Sequence, residues 1–528
     1  MGPTLAMLAL MALSGRPQDP SPKLGTVHFA TSCQPATATP FDRSVALLHS
    51  FAFSPAIDGF NRVLAIDPRC AMAYWGLALA AWGNPFAAGI KPAAQSERGL
   101  DAVRRARAIG APTEREREYV EAAAALYLNA DSLDQRARLI AYRDAMKRLT
   151  AAAPADTEAA IFHALSMVIA ADPADKSYAS QLEAGATLDS LFAVMPDHPG
   201  LAHYLIHTYD VPPLAVRGLA AANRYASIAP ALSHSLHMPS HTFTRVGFWD
   251  RSIRANIAAA KAARREGSGA EELHASDYQI YGYLQTGRDR EAKALVSALP
   301  AIIRRFDPKA IGTGAPPAAG FFAMAAIPAR YAMERGAWAD AAALQLNPSP
   351  VPFADAMTHF ARAIGAARSG DTILARNAIA ELERIRDRLA AAKERYWSEQ
   401  VEIQRSGAAA WLLFALDQRT EALAAMRAAA DREDATEKNA ITPGPLAPAR
   451  ELLGEMLLAS DQPVAALAAF EHTIEKEPNR FRTLIGAARS AARAGRPEVA
   501  HEYYRALRDI CRHADRPGRP ELAEVRRP

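Results

Sequence analysis

The sequence is poor in cysteine and has no long apolar segment, and both absences narrow its class. Its 528 residues include 3 cysteines and no CxxC pair, so a zinc knuckle and covalently attached c-type haem are not expected. No apolar run reaches the roughly 20 residues that cross a bilayer, so we expect no transmembrane segment. Alternating Val, Ile and Thr stretches, which indicate strands, are also missing.

The sequence motifs of several enzyme classes are missing too. It contains no GxxxxGK[ST], no GxSxG and no GxGxxG after a strand, so we expect neither a nucleotide cofactor nor serine-hydrolase chemistry. The 61 basic and 57 acidic residues are interspersed and leave a net charge of +4. This pattern is typical of a mixed solvated surface, and it gives no basic patch for a nucleic-acid partner.

What the chain does contain is a repeat. Near the C-terminus, Gly454, Ala466, Phe470 and Pro478 occupy the small, aromatic and proline positions of the tetratricopeptide pattern. This pattern describes a helix–turn–helix unit of about 34 residues that stacks into a solenoid. Alanine-rich runs throughout favour helix. We therefore predict an all-α, right-handed superhelix of tetratricopeptide-like repeats.

Two Gly-, Pro- or charge-rich segments interrupt the repeats, and we interpret them as loops. Long loops on a solenoid often carry function, although plain connection is the alternative. The predicted organisation is a repeat array with the histidines over 26–311, a loop over 312–328, middle repeats over 329–430, a loop over 431–448 and C-terminal repeats over 449–515.

Two histidine pairs lie one repeat apart. His203 and His207 occur in HYLIH, and His237 and His241 follow 34 residues later in HMPSH. Residues four apart share one face of a helix, and neighbouring repeats pack their helices side by side. We therefore expect the four imidazoles to converge across one groove between helices.

Converging imidazoles predict a metal site. Neutral imidazole binds zinc, copper, nickel and iron, and an all-nitrogen ligand set favours copper or zinc. Neither pair contains the glutamate of HExxH, so the zinc-protease arrangement is absent. Non-covalent haem remains open. Further candidate ligands are His49, Asp210 and His274, and Asp210 could instead orient an imidazole.

Pro239 lies inside the second histidine pair. Proline is tolerated in the first turn of a helix, where its missing N–H has no partner to lose. The sequence therefore predicts that Ser235 caps a helix, with His237 at its start and His241 one turn later.

Two alternatives compete with a metal site. The concave face of such solenoids binds extended peptides, so the histidines and the nearby tyrosines Tyr204, Tyr209, Tyr278 and Tyr281 could serve a non-catalytic scaffold for a peptide or protein partner. A buried hydrogen-bonded network is the other alternative. Metal binding predicts that loss of the histidines removes metal, whereas a scaffold predicts a co-purifying partner.

The N-terminus predicts export. Leu5 to Leu13 form an apolar run of signal-peptide length, with small residues before a cleavage site at Gly15. No basic residue precedes the run, so a cytoplasmic location is the alternative. Residues 1–14 are thus a candidate signal peptide for a periplasmic or secreted protein. Export would permit a disulfide between Cys33 and Cys70.

Several segments carry a resemblance to a known family. They are VHFATSC, DPRCAMAYWG, HYLIHTYD, IAPALSHSLHMPSHTFTRVGFWD, LHASDYQIYGYLQTG and TEKNAITPGPLAPARELLGEML. In these the chain resembles largely uncharacterised bacterial tetratricopeptide repeat proteins, which often carry signal sequences. The resemblance implies an all-helical repeat protein and no particular reaction. Relatives often have histidine where this chain has Asn439.

Overall fold

Helices pack one after another along the chain, as the repeat pattern predicts. The computed structural model describes residues 22–87, 91–130 and 132–525, and no strand occurs over these ranges. Each helix contacts the next one from α1 to α25. The predicted all-α solenoid is confirmed. No described helix is long and apolar enough to cross a membrane, and the candidate signal peptide at 1–14 lies outside the described residues.

The N-terminal helices lead up to the histidines. Several begin at a capping side chain, as where Asp156 accepts a hydrogen bond from the amide of Ala159. Short 3-10 turns occupy Pro35–Thr37 and Pro212–Gly218. The helices are α1 (Ala38–His49), α2 (Phe53–Ile66), α3 (Ala71–Trp82), α4 (Ala93–Ile109), α5 (Glu114–Ala125), α6 (Gln135–Ala152), α7 (Thr157–Ala170), α8 (Ala179–Val194), α9 (Pro199–Thr208), α10 (Leu219–Ile228), α11 (Ser233–His237) and α12 (Pro239–Arg245).

The remaining helices continue the array to the C-terminus. They are α13 (Trp249–Glu266), α14 (Gly269–Gln285), α15 (Asp289–Ile303), α16 (Pro317–Met333), α17 (Trp338–Ala342), α18 (Pro352–Ser369), α19 (Thr372–Ala391), α20 (Arg395–Ala415), α21 (Arg419–Asp434), α22 (Ala449–Ala459), α23 (Pro463–Lys476), α24 (Phe481–Arg493), α25 (Pro497–Ile510) and α26 (Glu521–Glu524).

Aromatic residues fill the space between repeats, and glycines make room for them. The ring of Phe470 is fully buried, and a Cβ atom added to Gly486 would lie 2.3 Å from its Cζ. A Cβ on Gly454 would come within 2.9 Å of the same ring. Phe60 and Gly76 repeat this contact near the N-terminus, again at 2.3 Å. Any larger side chain at these glycines would therefore push neighbouring helices apart.

The array curls until its C-terminal repeats lie against the histidine-bearing helices. Helix α14 contacts α24, and the turn Pro212–Gly218 contacts α23. The indole of Trp249 donates to the carbonyl of Asn479 at 2.7 Å. The guanidinium of Arg480 is buried between Glu334 and Glu451, with nitrogen–oxygen distances of 2.9 and 3.0 Å. These contacts hold the loop before α22 over the histidines.

One predicted loop is much shorter than expected. Helix α16 begins at Pro317, so most of the segment 312–328 is helical and only Gly312 to Pro316 lie outside helices. The prediction failed because proline fits the first turn of a helix and the alanines that follow favour helix. The second loop is long, as predicted, with α21 ending at Asp434 and α22 beginning at Ala449.

Cys33 and Cys70 form a disulfide in the structure. The bond ties the segment before α1 to the start of α3, across a sequence separation of 37 residues. The third cysteine, Cys511, is free and buried. A crosslink that closes a loop of this length stabilises a fold chiefly by restricting the unfolded chain.

The disulfide makes thermal stability sensitive to reductant. We expect a thiol reductant to lower the free energy of unfolding by about 2–4 kcal/mol, seen as a lower melting temperature by circular dichroism. The variant Cys33→Ala/Cys70→Ala should melt at the lower temperature with or without reductant. Equal melting temperatures for the oxidised and reduced wild-type protein would contradict the crosslink.

Candidate metal centre

Six buried histidines lie in contact where α9, α11, α12 and α14 meet. None is more than 7% exposed, and the ring centroids of adjacent members are 4.5–6.3 Å apart. The structure therefore brings all four paired histidines together, along with two others. We call this set the histidine cluster: His203, His207, His234, His237, His241 and His274.

A break between two short helices shapes the HMPSH segment. Pro239 is the first residue of α12, and its missing N–H allows α11 to end at His237. The prediction that Ser235 caps the helix is wrong, because Ser235 lies inside α11 and its hydroxyl donates to the carbonyl of Leu232 at 2.8 Å. His237 thus ends one helix and His241 lies in the first turn of the next.

The cluster divides into two sets of three ligands. Site A comprises His203, His207 and His234, and site B comprises His237, His241 and His274. Within each set, the three candidate ligand nitrogens all lie within 4.8 Å of one another. Each predicted pair therefore stays together, and each gains a third imidazole from another helix.

In site B, two unprotonated nitrogens face each other. The Nδ1–H of His237 donates to Oδ1 of Asn256 at 2.7 Å, and the Asn256 amide is oriented by its own donation to Ser252 O at 2.8 Å. The Nδ1–H of His241 donates to a carboxylate oxygen at 3.0 Å. Each ring therefore carries its lone pair on Nε2, and these Nε2 atoms are 3.1 Å apart.

The hydroxyl of Tyr278 does not remove the contact between these two lone pairs. It lies 3.3 Å from Nε2 of His241 but 3.1 Å from the carbonyl oxygen of Thr442, and it has one proton to donate. Whichever acceptor takes that proton, Nε2 of His237 still faces a nitrogen that has no hydrogen to offer.

Asp210 orients His241 rather than pointing into the cluster. Its Oδ2 accepts from Nδ1 of His241 at 3.0 Å and from Nζ of Lys438 at 2.8 Å, while Oδ1 accepts from Nε of Arg245 at 2.9 Å. The two cations and the imidazole hold the pKa of Asp210 well below its usual range despite burial. A carboxylate on the outer nitrogen of an imidazole is the usual support of a metal ligand.

In site A, the inward-facing nitrogens lack hydrogen-bond partners. The Nδ1–H of His203 donates to the carbonyl of His49 at 2.6 Å, which leaves the lone pair on Nε2. Within the described part of the chain, that Nε2 and the Nε2 atoms of His207 and His234 have no hydrogen-bond partner, while Nδ1 of His234 is 3.6 Å from Oε1 of Glu271. A buried polar atom without a partner costs about 1–3 kcal/mol.

Burial keeps five of the six imidazoles neutral and so leaves their lone pairs available. It lowers the pKa of His274 to about 3, with a further contribution from nearby His241. For His241, burial outweighs the opposing effect of Asp210 and brings the pKa to about 4. Burial also lowers the pKa of His203, His207 and His237 well below the ordinary value.

His49, a further candidate ligand, belongs to a separate group with Glu158 and His198. Nε2 of His49 is 2.9 Å from Oε2 of Glu158, and Nε2 of His198 is 3.0 Å from Oε1. The Nδ1 atoms bond to the hydroxyl of Tyr204 and the amide of Leu201. All four ring nitrogens therefore have partners, and this group is a complete hydrogen-bonded network.

Both loops that interrupt the repeats cover the cluster. Gly314 approaches so closely that a Cβ there would lie 2.5 Å from Nδ1 of His234. The side-chain amide of Asn84 donates a hydrogen bond to the carbonyl oxygen of Gly314 at 2.7 Å and so holds this segment in place. From the second loop, Ala440 and Ile441 line a cavity of about 10 Å³ that also borders four of the histidines. The cluster is thus enclosed on both sides.

Arg330 fixes the second loop over the cluster. It is fully buried, and its Nε donates to Asp277 on α14 at 2.8 Å. Its other nitrogens donate to Thr442 Oγ1, Gly444 O and Pro445 O at 2.7–3.1 Å. Asp277 follows His274 by three residues in the sequence. Its carboxylate therefore anchors the loop instead of facing the cluster.

Sequence reasoning missed several residues of this site. His234, three residues before His237, was a further candidate beside the two pairs, and Tyr278 was expected only to serve partner recognition, whereas Asn256 and Lys438 gave no signal. The spacing of His234 and His237 was a usable signal, because residues three apart share a helix face. Nothing local to Asn256 or Lys438 indicates that they support the histidines.

Comparisons with known proteins find only distant structural similarity. No family model and no curated protein matches the chain. Solved structures similar to it include the Cut9–Hcn1 hetero-tetramer of the APC/C, at 12% identity and a TM-score of 0.32 over 93% of this chain and 96% of that one. The P58(IPK) TPR domain is 11% identical, with a TM-score of 0.20 over 71% and 100% of the two chains.

A third similar structure is the human IFIT1 dimer with m7Gppp-AAAA. It is 12% identical, with a TM-score of 0.33 over 82% of this chain and 90% of that one. Such low identities and scores carry no argument about this chain. The function must therefore be argued from the histidine cluster.

The buried Arg330–Asp277 pair makes a stability prediction. We expect Arg330→Met to lower the free energy of unfolding by about 3–5 kcal/mol, because it leaves the Asp277 carboxylate buried without its partner. Urea denaturation followed by circular dichroism measures the change. The matched control is Arg335→Met, since Arg335 is partly exposed and 3.9 Å from Asp289; it should cost about 1 kcal/mol or less. Equal effects of the two variants would contradict the anchoring role.

Proposed function

We propose that this protein is a metal-binding tetratricopeptide-like solenoid whose histidine cluster holds copper or zinc. The observation that carries the proposal is the pair of Nε2 lone pairs of His237 and His241, 3.1 Å apart in a buried site. Two lone pairs at this distance repel each other unless a proton or a metal ion lies between them.

A metal ion satisfies this pair better than a proton does. A shared proton would place a positive charge on an imidazole, which burial opposes, as the lowered pKa of both residues reflects. Zinc binds imidazole nitrogen at about 2.0–2.1 Å, so two nitrogens on one tetrahedral ion are about 3.3 Å apart. The observed 3.1 Å separation suits two ligands of one ion.

The chemistry of the ligands supports copper or zinc over harder cations. All six side chains of the cluster offer imidazole nitrogen, while magnesium and calcium prefer oxygen. Asp210 is engaged with His241, Arg245 and Lys438 and is not free to bind an ion. The bordering cavity of about 10 Å³ has room for about one water-sized ligand, which disfavours haem.

The residues around the cluster suit a catalytic metal ion as well as a stored one. A bound copper or zinc ion with an open position would supply Lewis-acid or, for copper, redox chemistry. Phe86 stacks on His207 with centroids 4.0 Å apart and, with the two covering loops, excludes bulk water. Tyr278 places a hydroxyl 3.3 Å from Nε2 of His241, where it can donate a hydrogen bond to a small bound ligand.

A peptide-binding scaffold is the second candidate function, favoured by a different cavity. The second loop also borders another cavity, of about 110 Å³. Its lining includes the apolar side chains of Phe360, Met357 and Trp397 and the ionisable side chains of Glu433 and Lys476. A co-purifying peptide or protein that protects this cavity would support the scaffold.

From the sequence alone, we also propose that the protein is exported and that it belongs to the bacterial tetratricopeptide repeat family that carries HMPSH.

Metal analysis tests the proposal directly. Protein purified without a polyhistidine tag or chelator should contain copper or zinc by plasma mass spectrometry. The variant His207→Ala/His241→Ala should lose that metal, because each site then keeps two of its three ligands and loses one that lies against the other site. Its helicity by circular dichroism should remain close to that of the wild type.

The matched control is His501→Ala, which removes an exposed histidine far along the chain. It should leave the metal content unchanged. A double variant that retains full metal content would contradict the proposal, as would wild-type protein that neither carries nor takes up copper or zinc.

The hydrogen bond from His237 to Asn256 should tune metal affinity. Asn256→Leu removes the acceptor that holds the Nδ1 proton, so we expect affinity to fall by about 10–100-fold with helicity unchanged. Competition against a chromophoric chelator measures it. Asn223→Leu, at an exposed asparagine on α10, is the control. An Asn256 variant with wild-type affinity would show that His237 is not a ligand.

A further inference from the structure

We propose that the histidine cluster is a two-ion centre, with one ion in site A, one in site B and a small oxygen ligand shared between them. This inference rests on the proposed function, which requires metal in the cluster but neither a second ion nor a shared ligand. Four steps carry it: the completeness of each site, the distance between the sites, the common cavity and the charge.

Each site is complete on its own. Site A draws two imidazoles from α9 and one from α11, whereas site B draws one each from α11, α12 and α14. No residue is shared between the two, and three imidazoles are a sufficient protein ligand set for a catalytic zinc ion. A single ion at one site would leave the inward nitrogens of the other three histidines buried without partners.

The two sites are also adjacent. Helix α11 supplies His234 to site A and His237 to site B, three residues apart, which is about 4.5 Å along a helix axis. The rings of His207 and His241 meet across the boundary with centroids 5.7 Å apart, and those of His234 and His237 are 6.2 Å apart. Paired metal ions in proteins lie about 3.5–4 Å apart, so these spacings suit one shared ligand.

Open positions of both sites face the same space. The cavity of about 10 Å³ is bordered by His207 and His234 of site A and by His241 and His274 of site B. Its remaining walls include Phe86, Met238, Ala440 and Ile441, which are apolar apart from their backbone. A ligand of the size of water or hydroxide therefore fits between both ions.

Charge favours an anionic shared ligand. Imidazole ligands bring no negative charge to two divalent ions, and the nearby Asp210 is already neutralised by Arg245 and Lys438. Glu271, with Oε1 3.6 Å from Nδ1 of His234, supplies one negative charge against the four positive charges of two ions. A buried excess of positive charge is costly, so we assign the shared position to hydroxide or an anion of similar size.

Metal stoichiometry separates this inference from the proposed function. The full-length, tag-free protein is saturated with Cu(II) or Zn(II), desalted and analysed for metal per chain. We expect two equivalents in the wild type and one in each of His234→Gln and His274→Gln. His198→Gln, in the hydrogen-bonded group with His49 and Glu158, is the control and should retain two. Circular dichroism checks that each variant keeps its helicity.

Electron paramagnetic resonance of the Cu(II) form tests the shared ligand. A bridging ligand couples the two spins, so the integrated signal of the wild type should fall well below its total copper. In the two single-site variants the remaining copper should give the full signal of an isolated ion. Full signal from two equivalents of copper in the wild type would overturn the shared ligand.

The outcomes of the stoichiometry are distinct. No bound copper or zinc would contradict the proposed function itself. One equivalent in the wild type would sustain that function and overturn the two-ion centre. Two equivalents that both survive His234→Gln and His274→Gln would show that the second ion binds outside the cluster, and would also overturn it.

Discussion

The burial of neutral imidazoles against one another is the constraint on which this structure depends. Polar nitrogens removed from water without partners are unfavourable by about 1–3 kcal/mol each, and the inner nitrogens of site A are in that state. The outer nitrogens of His203, His237 and His241 are instead satisfied by a backbone carbonyl, an amide and a carboxylate. The protein thus fixes which nitrogen of each ring faces inward, an arrangement that suits metal coordination and is otherwise destabilising.

The solenoid covers the histidines with segments from distant repeats, which a single pair of helices could not do. Because the array curls back, α24 reaches α14 and the loop before α22 lies over the histidines. Arg480, buried with Glu334 and Glu451, and Arg330, buried with Asp277, hold the two ends of this closure. Buried ion pairs contribute little net stability but penalise other arrangements. They therefore fix the geometry of the cover.

The sequence was informative where structure is periodic. A 34-residue spacing placed the pair His203 and His207 one repeat before the pair His237 and His241, and small and aromatic residues located the repeat contact seen between Gly454 and Phe470. It was uninformative where contacts span long distances. Nothing near Lys438 indicates that it meets Asp210, 228 residues earlier. His49 forms a hydrogen bond with Glu158, which is 109 residues away in the sequence. The position of His49 on its helix therefore could not reveal that this histidine lies outside the cluster.

The most direct test of the account is anomalous X-ray diffraction from crystals of the metal-loaded protein, with data collected on both sides of the copper or zinc absorption edge. The account predicts anomalous density between the Nε2 atoms of His237 and His241, about 2.0–2.1 Å from each nitrogen. Crystals in which these two nitrogens share a hydrogen bond, with anomalous density only at surface histidines, would contradict it.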